Sequence, residues 1–371
     1  IRYTSQKKNR YGENRLRADG LLEYPCRTLA SLFSPAIFYG EKLSSIRKII
    51  KQNIQEEFAR NSLIRTIPQQ GRNNARLVLT LMKILDGKPV ENLTGLYVPS
   101  NALDVMTDIA IASPAVCAYR QSGNEEDAQM VAKAVVSVFN KPESAAVIDL
   151  MYNKKNDDNY YESVLDYCAI GNLQAVLDEY LYMAPENKKL GQVVTDAIIG
   201  TSNLSIDTTD SLGKEEKKQL MRCHFAIPFI DKTVTDKSVT RTTNIRKAFN
   251  SPFRPFLLST TSIGQEGLDF HWYARKIVHW NLPSNPVDLE QREGRINRFK
   301  CLAIRRNVVK LYASETYHTW DELFSMAYSN LKGMHSDIVP YWCLPVAELT
   351  EEQRAKLEYI ERIVPLYPLS R

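Results

Sequence analysis

The spacing of apolar side chains changes character along the chain. Over residues 45–63, Ile46, Ile49, Ile50, Ile54, Phe58 and Leu63 fall close to helical spacing, with Arg47, Lys48, Lys51, Glu56 and Glu57 on the other face. From about Asn73 to Gly200 one helical pattern follows another. Residues 77–85 are strongly apolar, and residues 104–119 alternate small and apolar side chains. Residues 125–139 repeat Met130, Val131, Ala134, Val135, Val138 and Phe139. Pro142 suits the first turn of a further helix. Residues 160–182 predict one or two more, broken near Gly171 and Asn172, and 192–199 predicts the last. No fixed-period repeat is present, so a solenoid is not expected. The Ser-, Thr- and Asp-rich stretch 202–213 predicts a linker.

After Gly213 the texture shifts. Short apolar runs at 223–230, 256–259, 277–281 and 308–313 alternate with helical patterns, notably 242–249 and 286–299. Strand alternating with helix predicts an α/β domain with a parallel sheet and crossover helices. The tail beyond Tyr328, with Pro340, Pro345, Pro365 and Pro368, is expected to wrap that domain. Four regions result: a basic, mainly helical 1–72; an acidic all-α region 73–213, inserted or accessory; an α/β lobe 214–330; and a tail 331–371.

A length of 371 residues exceeds what one core usually serves, which agrees with two domains. The composition, 44% hydrophobic and 25% charged, is that of a soluble globular protein. No run of eighteen apolar residues exists, which excludes a spanning helix, and no secretory leader is expected. Cys26, Cys117, Cys168, Cys223, Cys301 and Cys343 are scattered, which predicts reduced thiols in a cytoplasmic protein, with no disulfide framework or zinc site. The net charge of +5 is unevenly placed. Residues 1–76 hold 15 Lys+Arg against 6 Asp+Glu, residues 120–190 hold 7 against 12, and residues 291–310 hold 7 against 1. The basic ends suit a phosphate backbone or are solvated faces, whereas the acidic middle would repel phosphate and suits a protein partner.

The candidate chemistry lies in 255–300. A buried-strand signal at 256–260 leads into a loop, then a second strand and the turn 282–285. A helix follows, with Asn285 as N-cap, Pro286 at the first position and Asp288 placed for a capping box. Gln291, Arg295 and Arg298 stand at i, i+4 and i+7, on one helical face, while Leu289 and Ile296 are left for packing. Gly294 leaves room for close approach of a backbone or ligand. Two arginines presented from the carboxyl edge of a parallel sheet suit a polyphosphate.

These residues resemble the second RecA-like lobe of superfamily 2 helicases. Residues 259–270 look like motif V, and Gln291-Arg292-Glu293-Gly294-Arg295-Ile296-Asn297-Arg298 matches motif VI, Q-x-x-G-R-x-x-R. Ile263-Gly264-Gln265-Glu266-Gly267, then Asn281-Leu282-Pro283-Ser284-Asn285-Pro286, is most similar to bacterial Swi2/Snf2-like ATPases. The resemblance implies that Arg295 and Arg298 reach ATP held on a first lobe, with Gln291 positioning the nucleotide or attacking water. It implies nucleotide contacts for Gly267, Glu266 and Asp269, the last on the ribose, and nucleic-acid backbone contacts for Thr260 and Thr261. Plainer roles stand beside these. The arginines suit an exposed crossover helix, Asp269 a turn cap, Glu266 a solvated loop, and the threonines a strand end. Arg305, Arg306 and Lys310 read as a basic rim or phosphate contacts, and Trp280 as a packing residue. His224, His271, His279, His318 and His335 show no metal-ligand spacing.

A working motor also needs a phosphate-cradling G-x-x-x-x-G-K-[ST] loop and an acidic Mg²⁺ motif. Gly87-Lys88 runs into Pro89 and Gly213-Lys214 into Glu215; Asp178-Glu179 and Asp321-Glu322 lie in helical patterns. The expectation is therefore a fragment, or a subunit acting in trans. It would pair with a first lobe that holds most of the ATP and Mg²⁺, bind duplex DNA by its backbone, and hydrolyse no ATP alone. A catalytically silent nucleic-acid-binding or scaffolding module, and a remodelling translocase that does not separate strands, are the alternatives.

Overall fold

The computed structural model describes residues 16, 20–32, 34–35, 40–68, 75–90, 96–152, 160–184, 189–199, 203–206, 219–222, 246–253, 257–259, 269–313, 319–330 and 350–364. It divides into two compact units, Ile1–Thr195 and Asp196–Arg371.

The first unit opens with α1 (Arg27–Ser31) and α2 (Leu43–Arg60). α2 buries Ile46, Ile50, Ile54 and Phe58, a strict four-residue stripe, and leaves Ile49 40% exposed. Then comes an arrangement that the periodicity does not predict: β1 (Ile64–Ile67), α3 (Ala75–Leu85) and β2 (Leu96–Pro99) form a strand–helix–strand unit. The strands pair in parallel, Ile64 opposite Leu96 and Ile67 opposite Pro99. Region 73–213, expected to be helical throughout, thus contains β2. Four-residue strands with mixed burial carry too little alternation to stand out among helices.

The core of this unit is α4 (Ala102–Ala112), with nine buried residues, and α5 (Pro114–Ser122). Their alanines let neighbouring backbones approach closely. Pro114 starts α5 at a 46° bend to α4. No single helix among the described residues is long and apolar enough to cross a membrane. Next come α6 (Glu125–Phe139), α7 (Pro142–Tyr152), α8 (Tyr160–Ile170), α9 (Leu173–Met183) and α10 (Leu190–Ile199). The expected break between α8 and α9 falls at Asn172, which takes a left-handed φ of 47° and caps α9 through the Ala175 N–H. Gly191 is required by contact: its N–H donates to Asp127 Oδ1 at 2.8 Å, and a Cβ there would sit 2.7 Å from that oxygen. Cys26, Cys117 and Cys168 are buried and unbridged.

Polar groups, most of them half-buried, tie these helices together. Arg47 on α2 pairs with Asp108 on α4 at 2.8 Å and with Asp166 on α8. Arg120 donates to Gln174 Oε1 at 2.6 Å, and Gln174 donates to Asp178 Oδ1 at 2.9 Å. Burial pushes the Asp178 carboxyl up to about 6, against the pull of the Gln174 hydrogen bond and the Arg120 charge. The folded chain therefore binds this proton more tightly than the unfolded one, so the contribution is present below about pH 4 and is lost as pH rises through 6. Asp178→Asn is expected to raise the stability of this unit at pH 8 by about 2 kcal/mol and to change it little at pH 4. Urea unfolding at the two pH values measures this, and an equal effect at both would contradict it.

The second unit contains β3 (Asn203–Ile206) and β4 (Gln219–Arg222), an antiparallel pair with Asn203 opposite Arg222. Part of the predicted linker is therefore strand. A helical turn at 246–249 follows, then β5 (Lys276–Val278), α11 (Pro286–Glu293), α12 (Leu302–Tyr312), α13 (Trp320–Ser329), α14 (Glu351–Lys356) and β6 (Glu361–Ile363). β6 pairs in parallel with β5, Lys276 opposite Glu361 and Val278 opposite Ile363. The run 308–313, predicted as strand, is the end of α12: it continues a buried stripe that begins at Leu302. Residues 257–259 are not strand, and the predicted strand 223–230 lies outside the described residues.

Candidate nucleotide-responsive site

α11 begins where the sequence places it. Asn285 accepts from the Val287 N–H at 3.1 Å, and Pro286 takes the first turn. Asp288 makes a backbone bond to the Asn285 carbonyl at 3.2 Å in place of the predicted capping box. The helix stops at Glu293, earlier than the predicted 299, and residues 294–300 form successive turns. Arg295 and Arg298 therefore lie beyond the helix. Their spacing still has a consequence. Arg295 Nε donates to the Gln291 carbonyl at 3.4 Å, and Arg298 Nε donates to the Gly294 carbonyl at 3.0 Å. Both guanidinium groups are thus anchored to carbonyls at or just beyond the helix end, where its dipole favours cations. A Cβ on Gly294 would meet the Glu290 carbonyl at 3.2 Å and otherwise only that of Gln291.

The second segment of the site is 269–273, two residues in neither helix nor strand that lead into a turn. Phe270 N–H donates to the Arg295 carbonyl at 3.1 Å, and Leu302 N–H donates to the His271 carbonyl at 3.1 Å. Asn250 clamps this segment from the other side, donating to the Asp269 carbonyl at 2.6 Å and accepting from the Trp272 N–H at 3.4 Å. Phe249 and Phe270 stack edge to face at 5.6 Å. The Asp269 carboxylate forms an ion pair with Arg298 Nη1, both side chains about two-fifths exposed.

Arg295 is the unusual member. It is 8% exposed, and its Nη2 has no hydrogen-bond partner among the described residues. Burial lowers its affinity for its proton, and the Arg298 and Arg292 charges act in the same direction. A guanidinium stays charged under such pressure, so the arrangement favours an incoming anion. Gln291 is exposed at the same helix end. Three cations and no clustered carboxylates suit phosphate oxygens and not a divalent metal. Among the described residues no group of three His, Cys, Asp or Glu is placed to hold one. Thr260, Thr261, Glu266 and Gly267 lie outside the described residues.

Several expectations change. Arg305 is wholly buried and not part of a rim: it donates to the carbonyls of Lys300, at 2.6 Å, and Trp272, and lies 5.5 Å over the Tyr273 ring. Arg306 and Lys310 each pair with Glu358 at 2.9 Å, so their charge is matched within the chain. Trp280, expected to pack, is 87% exposed.

His271, two residues after Asp269, gave no signal in its spacing. It is buried, with Nδ1 unpartnered among the described residues. Burial pushes its pKa down to about 4; Asp269 opposes this, and Arg298 and Arg305 reinforce it. The ring is neutral at pH 7. Its folded pKa lies below the unfolded one, so its contribution is present above about pH 6.5 and is lost as pH falls toward 4. His271→Gln is expected to flatten the loss of this unit's stability between pH 7 and pH 4.5. Urea midpoints with the wild-type slope would contradict that.

One stretch of the chain is similar to a known family. Residues 197–300 match the helicase conserved C-terminal domain. The match spans Asp269, Gln291, Arg295 and Arg298 and supports a helicase-type C-terminal lobe there, of α/β class. Neither a curated protein nor a solved structure matches the chain.

Proposed function

We propose that the chain supplies the C-terminal motor lobe of an ATP-dependent DNA helicase or translocase of Swi2/Snf2-like type. In this reading Arg295 and Arg298 act across a cleft on ATP whose phosphates and Mg²⁺ are held by a first lobe, present in cis or in trans. The observation that carries it is the buried Arg295 guanidinium, with an unpartnered Nη2 beside a second arginine in a helicase-family stretch.

The chemistry follows from the anchoring. Fixing both Nε atoms on backbone carbonyls leaves the Nη edges to meet a phosphate without reordering long side chains. Arg298 exchanges its Asp269 partner for the developing phosphoryl charge. Asp269 is then released toward the ribose, with Gly267 and Glu266 beside it. Gln291 orients the attacking water, and Thr260 and Thr261 carry the nucleic-acid contact. Cleft closure on ATP and reopening after hydrolysis would ratchet the lobes along duplex DNA, with the acidic helical region free for a protein partner.

The test is ATP hydrolysis with and without duplex DNA, by this chain together with a phosphate-cradling lobe. DNA-stimulated turnover supports the motor. A second reading, a silent nucleic-acid-binding or scaffolding module, draws on the Asp269–Arg298 ion pair, which already satisfies Arg298 within the chain. Absence of turnover with intact DNA binding favours it. Strand displacement beside triplex displacement separates unwinding from remodelling.

A further inference from the structure

α11 buries none of its own side chains, so packing along its length does not fix its position. Its placement depends on its ends. Arg292 reaches the Asn281 carbonyl at 3.0 Å, and Ile296, just past the helix, is buried. The third attachment is Glu293, the last helical residue, directly before the Gly294 turn. One carboxylate oxygen bonds to β6, and the other lies against the residue that follows β5. Oε1 lies 3.4 Å from Nε2 of His279, a buried ring immediately after β5, in a contact that lacks hydrogen-bond geometry. Oε2 accepts from Nη1 of Arg362, in β6, at 3.0 Å.

The elements behind those partners are themselves joined. The β5–β6 pair is extended by His279 N–H to the Ile363 carbonyl and Glu361 N–H to the Arg275 carbonyl, both at 2.9 Å. Upstream of β6, Glu358 pairs with Arg306 and Lys310. Asn307 donates to the Glu358 carbonyl and accepts from its N–H, each at 2.7 Å. Residues 358–363 are thus fastened to both α12 and β5.

We propose that Glu293 is a positioning residue. It fastens the arginine-bearing turn to the β5–β6 pair, so that the C-terminal segment 358–363 helps set where Arg295 and Arg298 sit. The inference rests on the reading that these arginines act on a nucleotide. A single exposed ion pair contributes little, and Arg362 is 61% exposed. The Glu293 side chain is itself only 18% exposed and lies against the buried His279 ring, so the pair is sheltered from solvent at its carboxylate end. Ala at 293 would favour the helix itself, so any loosening in a Glu293→Ala variant reflects the lost attachment.

The test is amide hydrogen exchange over 286–300 in the full chain, with Glu290→Ala, an exposed site on the same helix, as control. Glu293→Ala is expected to speed exchange there by about tenfold, and Arg362→Ala by less. The reversed pair Glu293→Arg with Arg362→Glu is expected to recover part of the protection. In the assembly with a phosphate-cradling lobe, Glu293→Ala is expected to lower kcat by ~10–100-fold while KM for ATP changes little. Exchange no faster than in Glu290→Ala overturns the proposal. So does faster exchange with unchanged kcat, where Arg298→Ala is inactive. If Arg298→Ala is itself fully active, the nucleotide reading fails, while faster exchange still supports the fastening.

Discussion

Arg298→Ala is expected to lower DNA-stimulated ATP hydrolysis by ~10³-fold or more in a preparation that also contains the phosphate-cradling lobe. The loss corresponds to ~4 kcal/mol of barrier. It should fall on kcat, with KM for ATP little altered, because the guanidinium meets full phosphoryl charge only as the reaction proceeds. Stability offers no competing account. The Arg298–Asp269 pair is half-exposed, and pairs of that kind contribute ~0–1 kcal/mol. The variant should therefore unfold at close to the wild-type denaturant concentration. Arg298→Lys is expected to remain strongly impaired: an ammonium can pair with Asp269 but lacks the planar fork. Turnover unchanged in Arg298→Ala would reduce this arginine to the partner of Asp269 and remove the motor reading. Asp269→Asn supplies the complementary measurement. It frees Arg298 from its internal partner, so anion affinity should rise where Arg298 is the receptor, and should stay constant where the pair is structural.

The site was legible where chemistry follows local spacing. Asn285 and Pro286 set the start of α11, whereas the helical face expected for Gln291, Arg295 and Arg298 ends at Glu293, and the two arginines bond instead to the Gln291 and Gly294 carbonyls. Contacts between distant segments were not legible. Nothing in the order of residues says that the Phe270 N–H meets the Arg295 carbonyl, that Glu358 matches Arg306 and Lys310, or that a three-residue strand at 361–363 lies beside β5. The helix end at 293 escaped detection because Ile296 keeps the apolar rhythm going after the backbone has left the helix. In the first unit the α2 stripe was plain, since four apolar residues recur at one interval. The parallel pair β1–β2 was not, since four residues per strand give only two alternations. Arg305 shows the limit of reading charge from composition: a basic run marks solvent exposure on average, and says nothing about which member turns inward.

That inward arginine carries the largest expected effect on stability. Arg305 is fully buried, and its fork donates to the carbonyls of Lys300 and Trp272. Lys300 closes the arginine-bearing turn with a left-handed φ of 54°, and Trp272 belongs to the segment that bears Asp269. One side chain therefore joins the two segments of the site, the turn that ends at Lys300 and the segment 269–273. Arg305→Met keeps most of the apolar stem but leaves both carbonyls without their donor, at ~1–3 kcal/mol each. The expected destabilisation of the second unit is ~3–5 kcal/mol, a large part of the 5–15 kcal/mol that usually holds a domain. Arg305→Lys is not expected to rescue it, since a single ammonium cannot match two carbonyls along fork directions. Urea unfolding and amide exchange at 269–273 and 295–302 measure this. A phosphate-contacting arginine would behave in the opposite way. Its loss would leave stability unchanged and weaken DNA binding equally across sequences, with the salt dependence reduced by about one released counterion. Arg305→Met with wild-type unfolding and a shallower salt slope would return Arg305 to the DNA-facing surface. Loss of stability with the slope unchanged in the folded fraction would fix it as the internal staple, and would make the geometry of Arg298 depend on a residue that never meets the nucleotide.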